Sequence, residues 1–172
     1  MISIIKKIII STLMMIIVMT TYSFAYSTQK YGWKTIRIPI RTNAPGYSVE
    51  ISRAINEWNS IHPSVQIYYD SKAPNVIYSG YYNNNWIGYY EYYTSNGKLT
   101  RFNIYLNNNK LNGKSSKYKQ GIVAHELGHA LGLNDNSYKN TASLMSIYRD
   151  KNVIIKPTAD DIKGVKAIYK LK

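Results

Sequence analysis

Cysteine is absent from the 172 residues, which excludes a disulfide framework. Stability outside the reducing cytosol must then come from the hydrophobic core or from a bound metal, and a chain of this length can bury one such core. Acidic side chains are scarce, nine against 22 lysines and arginines, giving a formal net charge of +13. That balance favours anionic surroundings. The basic residues are nevertheless scattered and no nucleic-acid-binding motif accompanies them, so nucleic acid is not an expected partner. Low-complexity tracts and internal repeats are also missing. Histidine occurs only three times, at 62, 125 and 129, and this scarcity makes the spacing of the last two informative.

Charge is absent from one long run. Lys6 and Lys7 precede residues 8–24, which carry none, and the small residues Ser23 and Ala25 follow at the spacing a signal peptidase reads. A secretory signal over 1–25 is expected, with a single domain over 26–172. About 20 apolar residues could instead span a bilayer as an uncleaved anchor. Thr20, Thr21, Ser23 and the small-residue site favour cleavage, hence a secreted, extracellular protein with no stable membrane insertion. Without Lys6 and Lys7 the basic count falls to 20 against nine acidic residues. Anionic cell-wall or surface polymers become candidate partners, although a well-solvated surface accounts for scattered charges equally well. A monomer is expected.

Residues 34–41 alternate Ile36, Ile38 and Ile40 with polar neighbours, as a half-buried strand does, and Pro39 suggests an edge or an unpaired position. Ser48 is the expected N-cap of a helix with Ile51, Ala54, Ile55 and Trp58 at i, i+3, i+4 and i+7. Val65, Ile67 and Tyr69 make a second strand, and a third follows Pro74. Tyr68 to Tyr93 contains nine tyrosines. They can form an aromatic wall for ligands, but strands accept tyrosine readily without one. Ser95-Asn96-Gly97 predicts a tight hairpin joining residues 86–93 to the alternating run Phe102, Ile104, Leu106. Residues 107–116 read as a loop, with Ser115 or Ser116 capping the next helix.

That helix carries HELGHALGLND, residues 125–135. At about 3.6 residues per turn, His125 and His129 stand on one face, near enough to share one tetrahedral Zn²⁺. Glu126 is rotated about 100° from His125, which keeps its carboxylate beside the metal, where it can take a proton from water. Gly132 suits the positive φ of a helix end. After that turn Asp135 can swing back as the third ligand, leaving a fourth position open. HExxH can arise by chance on an amphipathic helix. Here Val123, Leu127, Ala130 and Leu131 supply a separate apolar side, as a helix buried on one side requires. With His62 beside Pro63 in an expected loop, the third ligand is Asp135 or a residue without a recognisable signature.

The span HELGHALGLND resembles the HExxHxxGxxH/D signature of the metzincin zinc peptidases, and HELGHALGL is similar to the matrixin form of it. Asp135 departs from the matrixin histidine and resembles the third ligand of snapalysin-type bacterial metzincins. Ser143-Leu144-Met145 resembles the Met-turn, in which Met145 would form an apolar floor beneath the metal. Residues 157–169 resemble the C-terminal helix of matrixin catalytic domains, Thr158 being its expected N-cap and Asp160 and Asp161 lying in its first turn. Capping accounts for those two carboxylates without an acid/base dyad.

The resemblance implies an α+β domain, with a twisted mixed sheet, three helices and a Met-turn. It implies a zinc-dependent endopeptidase with Glu126 as general base and one catalytic Zn²⁺ on His125, His129 and Asp135. Tyr148, just past the Met-turn, would support the oxyanion, as a tyrosine does in several metzincins. One strand of the tyrosine-rich hairpin would be the edge above the cleft, where a protein or peptide substrate adds as a further strand. Structural zinc and calcium are not expected, since extra histidines and an Asp-rich loop are missing. A cysteine-switch prosegment is excluded with cysteine. A zinc amidase acting on cell-wall peptides and a non-catalytic binding protein on this fold are the alternatives, and the retention of Glu126 argues against the second.

Overall fold

The computed structural model describes residues 26–139 and 142–172, so the expected signal over 1–25 lies outside the described residues. The elements are β1 (Arg37–Asn43), α1 (Ser48–Asn59), β2 (Gln66–Tyr69), β3 (Asn75–Gly80), β4 (Gly88–Ser95), β5 (Lys98–Asn107), α2 (Asn108–Leu111), α3 (Ser116–Ala130) and α4 (Ala159–Tyr169). They form an α+β fold around a five-stranded sheet of order β2-β1-β3-β5-β4. Parallel neighbours cannot be joined by a tight turn, and α1 supplies the crossover from β1 to β2. β4 is the exception. It pairs antiparallel with β5 and leaves its other edge open.

The Ile36, Ile38, Ile40 alternation faces the core, with Ile38 and Ile40 almost wholly buried. Pro39 is not on an edge strand, because β1 lies between β2 and β3. It is tolerated because β3 begins pairing only at Ile40, one residue later. The Pro39 carbonyl instead accepts from the Asn75 side chain at 2.8 Å. The hairpin turn falls at Asn96 and Gly97, with φ of +49° and +71°. Its inward residues Phe102, Ile104 and Leu106 are fully buried, whereas Tyr89 and Tyr105 stack across the outer face.

α1 presents Ile51, Ala54, Ile55 and Trp58 to the core. Its cap is Tyr47 rather than Ser48, which is already helical and makes no capping bond. The stretch read as a loop contains the one-turn helix α2, started by the Asn107 side chain accepting from Asn109 N–H. α3 also differs from expectation. It is enclosed around most of its circumference, Ile122, Val123, Ala124, Leu127 and Ala130 all being buried, because α1 covers one side and β4 another. Trp58 joins the two long helices by donating its indole N–H to the Ala124 carbonyl at 2.8 Å. Truncating so large a buried side chain typically costs about 3–5 kcal/mol.

Candidate metal centre

α3 starts where the Ser115 side chain accepts from Tyr118 N–H, and it ends in a Schellman turn. Leu133 N–H donates to the Gly128 carbonyl and Gly132 N–H to that of His129, at 3.1 and 2.9 Å. Gly132 closes this turn at φ +93°, a conformation that a side chain would resist. The reversal returns Asp135 toward the helix it has just left. Two neighbours brace the loop. Gln29 donates its side-chain amide to the carbonyls of His129 and Leu133, both at 3.1 Å, and Asn136 is laddered to Met145 and Ile147 through its backbone.

His125 Nε2 lies 3.1 Å from Asp135 Oδ1 and His129 Nε2 3.7 Å from the same oxygen. One ligand atom from each of the three residues falls within 4.8 Å of the others. Donors at ordinary zinc bond lengths around a tetrahedron stand roughly 3.3 Å apart, and the two separations to Asp135 lie on either side of that spacing. The other ring nitrogens are committed. His125 Nδ1 meets the Leu144 carbonyl at 3.0 Å and His129 Nδ1 the Leu133 carbonyl at 2.9 Å. Only an N–H satisfies a carbonyl, so both Nδ1 atoms carry the proton and both Nε2 lone pairs face Asp135. Burial, followed by the neighbouring His125, lowers the His129 pKa to about 4, favouring the neutral imidazole that binds a metal. Burial opposes ionisation of Asp135, yet the contact with His125 and the neighbouring His129 and Arg149 hold its pKa below the ordinary value.

Glu126 is 5 % exposed, and burial pushes its pKa up to about 7 against the opposing pull of His125. It shares a cavity of about 290 Å³ with His125, His129, Asp135 and the first residues of β4. Gly88 forms the near wall. A Cβ built there would overlap the Glu126 carboxylate, so the strand can approach the helix this closely only with glycine. Beside it, Tyr90 stacks on His129 with ring centroids 5.7 Å apart.

Beneath α3, Met145 is 2 % exposed and packs its thioether against the helix at Gly128. Its turn is pinned by Asp161. That carboxylate, 1 % exposed, accepts from Ser143 Oγ–H at 2.6 Å, Leu144 N–H at 2.8 Å and Met145 N–H at 3.1 Å. It also accepts from the Thr158 N–H and hydroxyl, both at 2.8 Å. Capping therefore describes only half of what Asp161 does. The Leu144–Met145 peptide, which it holds by the Met145 N–H, is the one whose carbonyl orients His125.

Sequence reasoning missed this pin, the Gln29 brace, Gly88 and Tyr90. A glycine opening a tyrosine-rich strand was the one available signal among them. Tyr148 is 53 % exposed, carries Lys139 Nζ 5.8 Å over its ring and is not among the residues lining the cavity. His62 stays in its loop, with Nδ1 accepting from Ser64 N–H at 3.1 Å.

The mixed sheet with one open antiparallel edge, set over a helix bearing the two imidazoles and a methionine turn, defines the metzincin class of zinc peptidase. The matrixin family model matches residues 105–170. The extracellular small neutral protease of Streptomyces caespitosus is 31 % identical over 105 residues, covering 61 % of this chain and 73 % of that protein. By these measures the chain belongs to the matrixin-like metzincins and is a zinc metalloendopeptidase. Two solved structures share the fold. One, described as the GM1-bound form of the ECX AB5 holotoxin, has a TM-score of 0.58 at 18 % identity, covering 84 % of this chain and 86 % of that one. The other is high choriolytic enzyme 1, a hatching-enzyme zinc protease of the medaka Oryzias latipes. It has a TM-score of 0.52 at 16 % identity, covering 82 % and 95 %. Among the described residues no helix is long and apolar enough to cross a membrane.

Proposed function

We propose that the protein is a secreted endopeptidase in which His125, His129 and Asp135 hold one zinc ion and Glu126 is the general base. The observation that carries this is the placement of Glu126 in the same cavity as the three donor atoms, although it is not one of them. Zinc bound there supplies Lewis acidity, polarising the scissile carbonyl and lowering the pKa of water toward about 7.

The chain's own groups do the rest. The open edge of β4 offers backbone N–H and C=O groups to an extended peptide, which aligns the scissile bond over the cavity. Glu126 takes the proton of the attacking water and returns it to the departing amine. Its buried carboxylate is kept within reach of that water by Gly88. The fixed Nδ1–H bonds of His125 and His129 hold both rings in one tautomer and orientation.

Secretion is supported by the apolar run at 8–24 and by the extracellular relative. The test is Glu126→Gln, which keeps shape and removes the base. Casein hydrolysis should fall at least about a thousandfold while zinc content is unchanged, because general-base assistance contributes up to about 10⁴-fold. An active Glu126→Gln protein would remove this mechanism. Peptidoglycan incubated in parallel, with and without a chelator, separates endopeptidase from cell-wall amidase.

A further inference from the structure

A second cavity, of about 440 Å³, opens from the same site toward the start of α3 and the segment before β4. It shares His125, Glu126 and Asp135 with the first. Its walls include the apolar side chains of Trp86, Ile122 and Ile147, and it is also lined by Arg149 and Lys151.

Arg149 is 7 % exposed, and among the described residues no carboxylate forms an ion pair with it. Its guanidinium donates only to carbonyls, Nη1 to Ser146 and Nη2 to Gly121, both at 3.3 Å. Nη1 also lies 3.2 Å from His125 Nδ1, but that nitrogen's proton is committed to Leu144, so the contact joins two donors. Nε–H is buried and has no acceptor among the described residues. Glu126, Asp161 and Asp135 are near enough to act on it through space, but a guanidinium buried with an orphaned donor and no ion pair is costly unless a ligand completes it. Lys151, half-buried in the same cavity, has no ion-pair partner among the described residues either. Of these carboxylates, Glu126 and Asp135 sit on the metal side, where the proposed chemistry engages them, and Asp161 is taken up by the Met-turn.

We infer that this cavity is a specificity pocket for an acidic substrate side chain, glutamate better than aspartate. Ile122, Ile147 and Trp86 would take its methylene stem and Arg149 with Lys151 its carboxylate. The inference rests on the peptidase reading above. Strand direction assigns the position: β4 leads away from the site, so a peptide added antiparallel to it sends its C-terminal half past Gly88 toward Ile87 and Trp86. The acidic residue is therefore the one that follows the scissile bond.

The experiment uses internally quenched peptides that differ only at that residue, carrying Glu, Asp, Gln, Leu or Lys, assayed with the zinc-loaded protein. kcat/KM for Glu should exceed that for Gln by about 10- to 100-fold, the scale of a charge-assisted hydrogen-bonded pair. Lys151→Glu, at a half-exposed position, should lower the Glu:Gln ratio about tenfold or more and raise the Lys:Gln ratio. Arg149→Gln, if it folds, should bring Glu:Gln close to one. Equal cleavage of the Glu, Gln and Leu peptides, or a Glu:Gln ratio unmoved by Lys151→Glu, would overturn the pocket assignment while leaving the peptidase reading intact. Cleavage of none would overturn that reading and this one with it.

Discussion

The two sides of the cleft are built on opposite principles. Below α3, the Met-turn is tied down at almost every polar atom: one carboxylate, Asp161, receives five hydrogen bonds and is 1 % exposed. Above, β4 keeps one whole edge of backbone unpaired and exposes much of its tyrosine-rich face. The closed side fixes the imidazole on which the metal set depends, through the Leu144–Met145 peptide. The open side leaves unmet the hydrogen bonds that, on the proposed reading, a substrate backbone would supply.

The largest test of this contrast is on the closed side. Asp161→Ala leaves several buried donors unmatched and should cost about 3 kcal/mol or more of stability, read from the denaturant midpoint at constant slope. A loss under about 1 kcal/mol would mean that the floor is not pinned in the manner described. The open side should answer differently. Gly88→Ala puts a methyl where the Glu126 carboxylate lies, so strand or carboxylate must shift: stability should fall less than in Asp161→Ala while kcat/KM falls by about a hundredfold, the effect of misplacing a catalytic group by about 1 Å. Unchanged activity would show that β4 stands farther from Glu126 than the geometry requires.

Much of the donor set was readable in the sequence because its pieces are local. His125, Glu126 and His129 are spaced by one helical turn, Gly132 marks the helix end, and Asp135 follows within a single reversal. The hairpin was readable for the same reason, through Asn96-Gly97 and the alternation of Phe102, Ile104 and Leu106. What could not be read depends on distant partners. Asp161 looks like an ordinary first-turn carboxylate, and only tertiary packing brings it Ser143, Leu144 and Met145. Pro39 pointed to an edge or an unpaired position, and only the pairing decides for the second, since β3 begins one residue later. The enclosure of α3 was missed because its polar face, which reads as solvent-facing, is turned into the cleft.

The central claim is that Asp135, and not the remaining histidine, completes the metal set. The most direct measurement is zinc per chain by elemental analysis in purified wild-type, Asp135→Ala and His62→Ala proteins after dialysis against metal-free buffer. One zinc in the wild type and in His62→Ala, with occupancy falling well below half in Asp135→Ala, is the predicted result. Full occupancy in Asp135→Ala, or loss of zinc in His62→Ala, would contradict it.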